Sequence, residues 1–580
     1  MKSLKLHRPW PFLTAAFLIP LLAFLLACGP GQEPTPTPTA TAKPVATPTP
    51  TSAPVAATPT PSPAKIKRGG VLRSGVSGDP AGFDPHMHAY QPTDPHSSAN
   101  LYSYLLVNRV GSKVECDLCT EWKIENSGKT LVFNLVKNAS FEDGSPLTSK
   151  DVVYSLKKMV GEIAGQAISP RCGLVKEYLA KDVAQPFEAF DAYTVKIHLS
   201  APSAAVSQIL AQNWCAVLKE GTLTKDVTKL PNGSGPFRIG QWDKGATMQL
   251  VPTPNYWKKD SKGVQLPYLD TLELVVSKDI DVMLASVVSG RVDKSSNLRD
   301  VGPDSYKLAE EFVKAGKGTI AMVGMSTNGG AIMNVTKPPF DDIKLRRVIN
   351  LFLDRKSYAE IVFSGRAGVS MYSPPDYAAA RTDKEVWDII PGWGTGAKKA
   401  AEVEQAKQLL KETGFREGSP LSVYCFNSPG VEIKTAEWMV TQLGKLFNAE
   451  LKCYESTATF FPVMTAGDYG VAGYIYGYGL PEPDIMLGSY FIAGGNRNWS
   501  GVSDPRINAL YQQEKAELDP QKRIQLVRQA EDILLELTPW GPVPGGITSL
   551  LLSRSWGGWD PGLGLYFHNR HEYSYDTRVQ

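Results

Sequence analysis

The chain has 580 residues, with 61 Lys and Arg against 58 Asp and Glu and a formal net charge of +3 at pH 7. Five of those bases and one of the acids fall in the first 65 residues, so the rest is close to neutral and offers no net-charge argument for nucleic-acid binding. That remainder is longer than one hydrophobic core supports, and two or three lobes are expected.

The N-terminus carries Lys2, Lys5 and Arg8, then an apolar run from Trp10 to Ala27 that ends at Cys28. A secretory signal explains this order of charge and apolarity. Leu25-Leu26-Ala27-Cys28 resembles a bacterial lipobox, which implies that Cys28 is diacylated and becomes the mature N-terminus. An uncleaved membrane span is the alternative, opposed by Pro20 in its middle and by the cysteine at its end. Residues 29–65 hold eleven prolines and nine threonines with Glu33 as their one acid, a composition that favours an extended tether over a packed core.

The globular part opens with a strand from Val71, followed by the turn-rich stretch Gly78-Asp79-Pro80, Asp84-Pro85 and Asp94-Pro95. Thr130 to Lys137 alternates as a half-buried strand does. Thr148 and Asp151 fit a capping box opening a helix over Asp151–Val160. Further strands are read at Tyr193 to Leu199, from Phe237, and at Leu272 to Val276. Beyond about residue 326 helices and strands alternate. Helices are expected near 341–353, 398–414, 431–447 and 457–466, with strands at Leu421–Phe426, Glu450–Tyr454 and Val471–Tyr476. This succession implies parallel strand–helix–strand units. Asp519-Pro520 caps a last long helix over 521–537.

Six cysteines follow Cys28, an even number in an exported chain, which favours disulfides. Cys425 and Cys453 lie in short strands joined by one helix. A right-handed crossover sets those strands side by side and predicts a Cys425–Cys453 bridge. Cys172 with Cys215, and Cys116 with Cys119, are the residual pairs. Cys116-Asp-Leu-Cys119 lacks the second pair that zinc requires and the fold setting of a redox motif.

Several motifs stand in one register: Gly69-Gly70-x-Leu72 before Phe83-Asp84-Pro85; Leu118-Cys119-Thr120-Glu121-Trp122; and Phe141-Glu142-Asp143-Gly144-Ser145-Pro146-Leu147-Thr148-Ser149-Lys150-Asp151-Val152. Gly233-Ser234-Gly235-Pro236-Phe237, Pro254-Asn255-Tyr256-Trp257, Pro339-Phe340-Asp341-Asp342 with Leu345-Arg346-Arg347, and Asn498-Trp499-Ser500-Gly501 complete the set. Together they resemble the family 5 extracellular solute-binding proteins of ABC importers, the dipeptide/oligopeptide/nickel class. The resemblance implies an α/β fold of two lobes closing on ligand, with an extra domain appended to the first lobe. It divides the chain into a first lobe of 66–105, 232–325 and 538–580, an appended domain of 106–231 and a second lobe of 326–537. It also implies a non-catalytic, monomeric protein without cofactor or resident metal, lipid-anchored on the outer face of the cell membrane. Its partners are a peptide or other small solute and permease subunits with separate ATPases.

The residues exclude competing chemistry. There is no Gly-x-Ser-x-Gly elbow, no His-Glu-x-x-His and no Walker A motif. The glycines of Gly392-Trp393-Gly394-Thr395-Gly396 are read as a loop. His86, His88 and His96 fall in one loop that faces the cleft in this family, and they carry the alternative of a nickel or metal-chelate binder. A sensor or adhesion protein on the same fold is the other alternative. The ligand set is expected at Tyr474, Tyr476 and Tyr478, which leave a parallel strand at the end where such sheets place ligands. Gly479, Glu482, Asp484, Asn498 and Trp499 are expected beside them, with His86 and His88 opposite. In the peptide binders of the family, an aspartate four residues before the proline of an Asp-Pro pair holds the ligand's ammonium. Here that position is Gly479, four before Pro483, with Glu482 and Asp484 as the nearby substitutes.

Overall fold

The computed structural model describes residues 68–576 apart from 81, 88–93, 110–112, 228–230, 296–302, 325–326, 376, 428–429, 478–481, 554–555 and 558–570. Cys28, the tether, His88, Tyr478 and Gly479 lie outside the described residues. No helix among the described residues is long and apolar enough to cross a membrane.

The first lobe is built on a four-stranded sheet in which Val71–Val76 runs parallel to Thr271–Val276. Thr247–Pro252 and Phe237–Asp243 extend it antiparallel. Leu72, Leu250, Leu272 and Leu274 point to one face and bury there, as period-two alternation requires. Gly233 passes so close to the 101–102 backbone that a Cβ would sit 1.8 Å from the Leu101 carbonyl oxygen. Only glycine fits there.

The appended region forms its own antiparallel sheet in the order Cys119–Glu125, Thr130–Leu135, Thr194–His198, Phe187–Asp191. The helix Ser149–Met159 packs on its apolar side. It begins two residues before the expected start, because Thr148 is the cap: its backbone N–H donates to the Asp151 carboxylate at 2.8 Å. The Asp143 turn is scaffold, its carboxylate accepting from the Ser145 N–H at 2.9 Å and pairing with Lys219 at 2.7 Å. Disulfides join Cys116 to Cys119 and Cys172 to Cys215 in this region.

The second lobe carries a five-stranded sheet ordered Asn448–Tyr454, Pro420–Phe426, Val471–Gly477, Thr327–Met333, Trp540–Pro542. The first three strands are parallel, connected by the helices Val431–Leu443 and Thr457–Ala466. Thr327–Met333 joins them antiparallel, so the sheet is mixed rather than wholly parallel. Cys425 stands in register with Cys453 and the two are disulfide-bonded. Asp342 caps the helix Ile343–Phe352, and Arg346 on it donates to the carbonyls of Phe340, Leu537 and Thr538. The long strand Gly545–Ser553 pairs with Ala367–Gly368 at one end and with Gly318–Gly324 along most of its length. It is the crossover that ties the two lobes.

Candidate ligand-binding site

Strand Val471–Gly477 sends alternate side chains to opposite faces. Val471 and Ile475 enter the core beneath the helix Val431–Leu443, while Ala472, Tyr474 and Tyr476 face an aromatic cluster on the other side. Tyr476 is 1% exposed, stacked on Trp540 at 5.0 Å between centroids and edge-on to Tyr490 at 4.4 Å. It is a core residue and presents no ring face outward. Tyr474 is half-buried, within 5.4 Å of Phe460, 6.2 Å of Phe461 and 5.7 Å of Trp499. Burial pushes its hydroxyl well above the ordinary tyrosine range. Trp499 is buried in the same cluster. Asn498 staples its own loop, donating to the carbonyls of Ile492 at 2.9 Å and Val502 at 2.7 Å.

The two acids after the tyrosine run are engaged inside the protein. Glu482 is the N-cap of the helix Pro483–Tyr490, accepting from the Asp484 N–H, and it pairs with Arg523. The same guanidinium lies 2.5 Å from Glu514. Burial raises both Glu482 and Glu514, the latter to about 8, against the pull of Arg523. Burial works to lower Arg523, but Glu482 and Glu514 outweigh it and hold the guanidinium charged. Asp484 is raised by burial too, and its carboxylate accepts from the Tyr178 hydroxyl at 3.0 Å. Lys515 lies over the Tyr178 ring at 4.7 Å. A ligand ammonium meeting Glu482 would have to displace Arg523, and one meeting Asp484 would find a buried carboxylate that already accepts from Tyr178 through one oxygen.

His86 lies apart from this cluster. Its Nε2 is 2.8 Å from the Ala216 carbonyl, which can only accept, so that nitrogen carries the proton. The neighbouring Asp84 takes Lys158 at 2.7 Å and the Thr224 hydroxyl at 2.6 Å. Burial opposes its ionisation, yet His86, Lys158 and Thr224 together hold its carboxyl below the ordinary value. His96 belongs to the short helix Asp94–Leu101. No three His, Cys, Asp or Glu side chains converge as a metal site among the described residues. The Asn-Tyr-Trp motif is also scaffold: Tyr256 donates to Glu572 at 2.7 Å, and Lys258 pairs with Glu572 at 2.8 Å.

Motifs of scaffold type in one register, two lobes tied by crossover strands, and an aromatic strand end describe a binding protein. The family model described as bacterial extracellular solute-binding proteins, family 5 (middle) matches residues 113–498, more than half of the chain. The chain belongs to this family. Di/tripeptide-binding protein 1 of Pseudomonas aeruginosa (strain UCBPP-PA14) is 23% identical over 496 residues, spanning 80% of this chain and 87% of that protein. Among solved structures, HbpA2 from Haemophilus parasuis superposes with a TM-score of 0.73 at 20% identity, covering 87% of this chain and 100% of that one. AgaA in complex with agropinic acid, from A. tumefacien R10, does so with a TM-score of 0.66 at 21% identity, covering 87% of this chain and 99% of that one. As a family 5 protein, this chain is the solute-binding component of an ABC importer. Arg523, Glu514, Tyr178 and Lys515 left no signal in the sequence, since charged residues at helical spacing read as solvated surface.

Proposed function

We propose that the protein captures a small organic solute lacking a free peptide ammonium and passes it to a membrane permease. The observation that carries this reading is the engagement of Glu482 with Arg523 and of Asp484 with Tyr178, beside a glycine at 479. An unpaired ammonium buried there costs several kcal/mol. Tyr474, with the ring faces of Phe461 and Trp499 around it, offers stacking and one hydroxyl in place of a charge. The relatives span both chemistries, one named for di- and tripeptides and one holding agropinic acid.

The test is a thermal-shift screen of di- to pentapeptides, N-acetylated peptides, oligosaccharides and agropinic acid, since a ligand of the folded state raises the melting temperature by mass action. Uncharged or N-blocked solutes are expected to stabilise. Saturable binding of ordinary peptides that vanishes on N-acetylation overturns the reading.

The division into 66–105, 232–325 and 538–580, an appended 106–231 and a second lobe 326–537 is part of this proposal, with one adjustment: Trp540–Pro542 pairs into the sheet of the 326–537 segment, so the boundary drawn at 538 belongs after 542. Diacylated Cys28 and the Pro/Thr-rich tether would hold this body at the outer face of the membrane, near the permease.

A further inference from the structure

The appended region is fused to the first lobe and meets the second at a seam. Its core takes in Tyr256, Trp257, Leu266 and Tyr268 of the 232–325 segment, and the buried Asp84–Lys158 pair joins the same two regions. At the seam the filling is looser. A cavity of about 320 Å³ lies between Trp122 and Ser203 on the appended side and Pro483 and Leu518 on the other. Interiors that never part are close-packed, whereas contacts between moving domains are smaller and more polar. Hinge closure in a two-lobe binding protein therefore opens and shuts this seam, and the appended region travels with the first lobe.

A buried hydrogen bond crosses the seam. Tyr178 of the appended region is 6% exposed, and its hydroxyl donates to the Asp484 carboxylate of the second lobe at 3.0 Å. Two further contacts gather round it. Lys515 lies over the Tyr178 ring at 4.7 Å, and Ile485, the residue after the acceptor, packs at the margin of the appended core. Asp484 and Ile485 both sit in the first turn of the helix Pro483–Tyr490, the next element after the strand Val471–Gly477 that carries Tyr474. A short length of chain thus joins the solute end of that strand to the contact with the appended region.

We propose that Tyr178 is a latch: its bond to Asp484 holds the appended region on the second lobe and keeps the cleft shut in part of the population before any solute is bound. Capture then draws on a closed state that already exists, and the latch sets how much of the population is in it. The inference rests on the solute-binding reading above, but its test needs no solute.

Nitroxide labels at Lys123 and Lys522, exposed positions next to the two walls of the cavity, read the seam distance by pulsed electron resonance on the full exported chain without solute. Wild type is expected to hold the short distance of the closed seam in part of the population. Tyr178→Phe keeps the ring in its core and removes the hydroxyl, and the open-to-closed ratio is expected to rise about tenfold, the scale of one hydrogen bond to a carboxylate. Asp484→Ala removes the acceptor from the second-lobe side and leaves the appended core intact, which covers the case in which Tyr178→Phe does not fold. The double variant should open the seam about as far as either single one, because both act through one bond. A merely structural tyrosine lowers the melting temperature and leaves the distances as in wild type. That result, or a wild type with no short-distance population, overturns the latch. A failed solute screen leaves these distances untouched, so the two readings fail separately.

Discussion

The Asp84 carboxylate lies 2.7 Å from Lys158 Nζ, with the two side chains 4% and 1% exposed. The pair joins the turn-rich loop of the first lobe to the helix of the appended region, and Thr224 adds a third anchor on the same carboxylate. Removing one partner of a buried pair strands the other charge, so Lys158→Met is expected to cost about 3–5 kcal/mol. The folded carboxyl titrates below its ordinary value of 3.8, so its contribution is complete above that pH and is lost as pH falls through the folded value. Acid melts of wild type and Lys158→Met should therefore begin to converge below about pH 4, near the unfolded carboxyl value, and meet only once the pH has passed below the folded one. Parallel curves at every pH would contradict the assignment.

Cys425 and Cys453 face each other across parallel strands with Cα atoms 4.4 Å apart. Peptide mapping without reduction is expected to recover them as one cross-linked species. The Cys425→Ser, Cys453→Ser double variant should lose about 3.6 kcal/mol, the loop-closure value for a bridge whose cysteines are 28 residues apart. A free Cys425 thiol in the unreduced protein refutes the pairing.

The pairing was legible because the signals around it are local: two alternating strands and one helix of the right length. Thr327–Met333 was not legible. Its Asn328-Gly329-Gly330 centre shows no apolar alternation, because the glycines there serve close approach: a Cβ on Gly329 would lie 2.1 Å from the Tyr474 carbonyl oxygen. The expected helix 431–447 ends at Leu443, since Gly444 caps it and only the following turn buries Leu446 and Phe447. The tyrosine run read as a site because aromatic residues at a strand end suit ligands and cores equally; only packing separates Tyr476 from Tyr474. The acid–arginine cluster is the clearest gap. Tyr178 and Asp484 are 306 residues apart, and no pattern along the chain links them.

Glu514 titrates near 8 in the folded protein, well above its ordinary 4.5, chiefly through burial. A raised carboxyl means that folding takes up a proton. Its stabilising effect is complete below the unfolded value and disappears as pH rises through the folded one. The Glu514 contribution to melting temperature should therefore fall from about pH 4.5 to pH 8 and level off above. Glu514→Gln, which mimics the protonated form, is expected to flatten that slope and to be the more stable protein at pH 9. Identical slopes in the two proteins would show that Arg523 keeps Glu514 ionised throughout.

Cys28→Ala tests the anchor. Two acyl chains give stable membrane attachment where one does not. The variant is expected to leave the membrane fraction or to accumulate as uncleaved precursor. Retention at the membrane with the signal removed excludes lipidation at Cys28.

The two tyrosines of one strand should separate stability from binding. Tyr476 is 1% exposed between Trp540 and Tyr490, so Tyr476→Ala opens a cavity in a close-packed cluster and is expected to cost about 3–5 kcal/mol. Tyr474 is half-buried at the edge of the same cluster, and Tyr474→Ala should lower the melting temperature much less. With the solute identified by the thermal-shift screen, Tyr474→Ala should weaken its binding by about tenfold, the scale of one lost aromatic contact and hydrogen bond. Tyr474→Phe then divides that loss: it keeps the ring and drops only the hydroxyl, so recovery of most of the affinity assigns the contact to stacking. Calorimetry on the three variants reads both quantities. Unchanged affinity in Tyr474→Ala would show that the strand end is core alone and that the solute is held elsewhere in the cleft.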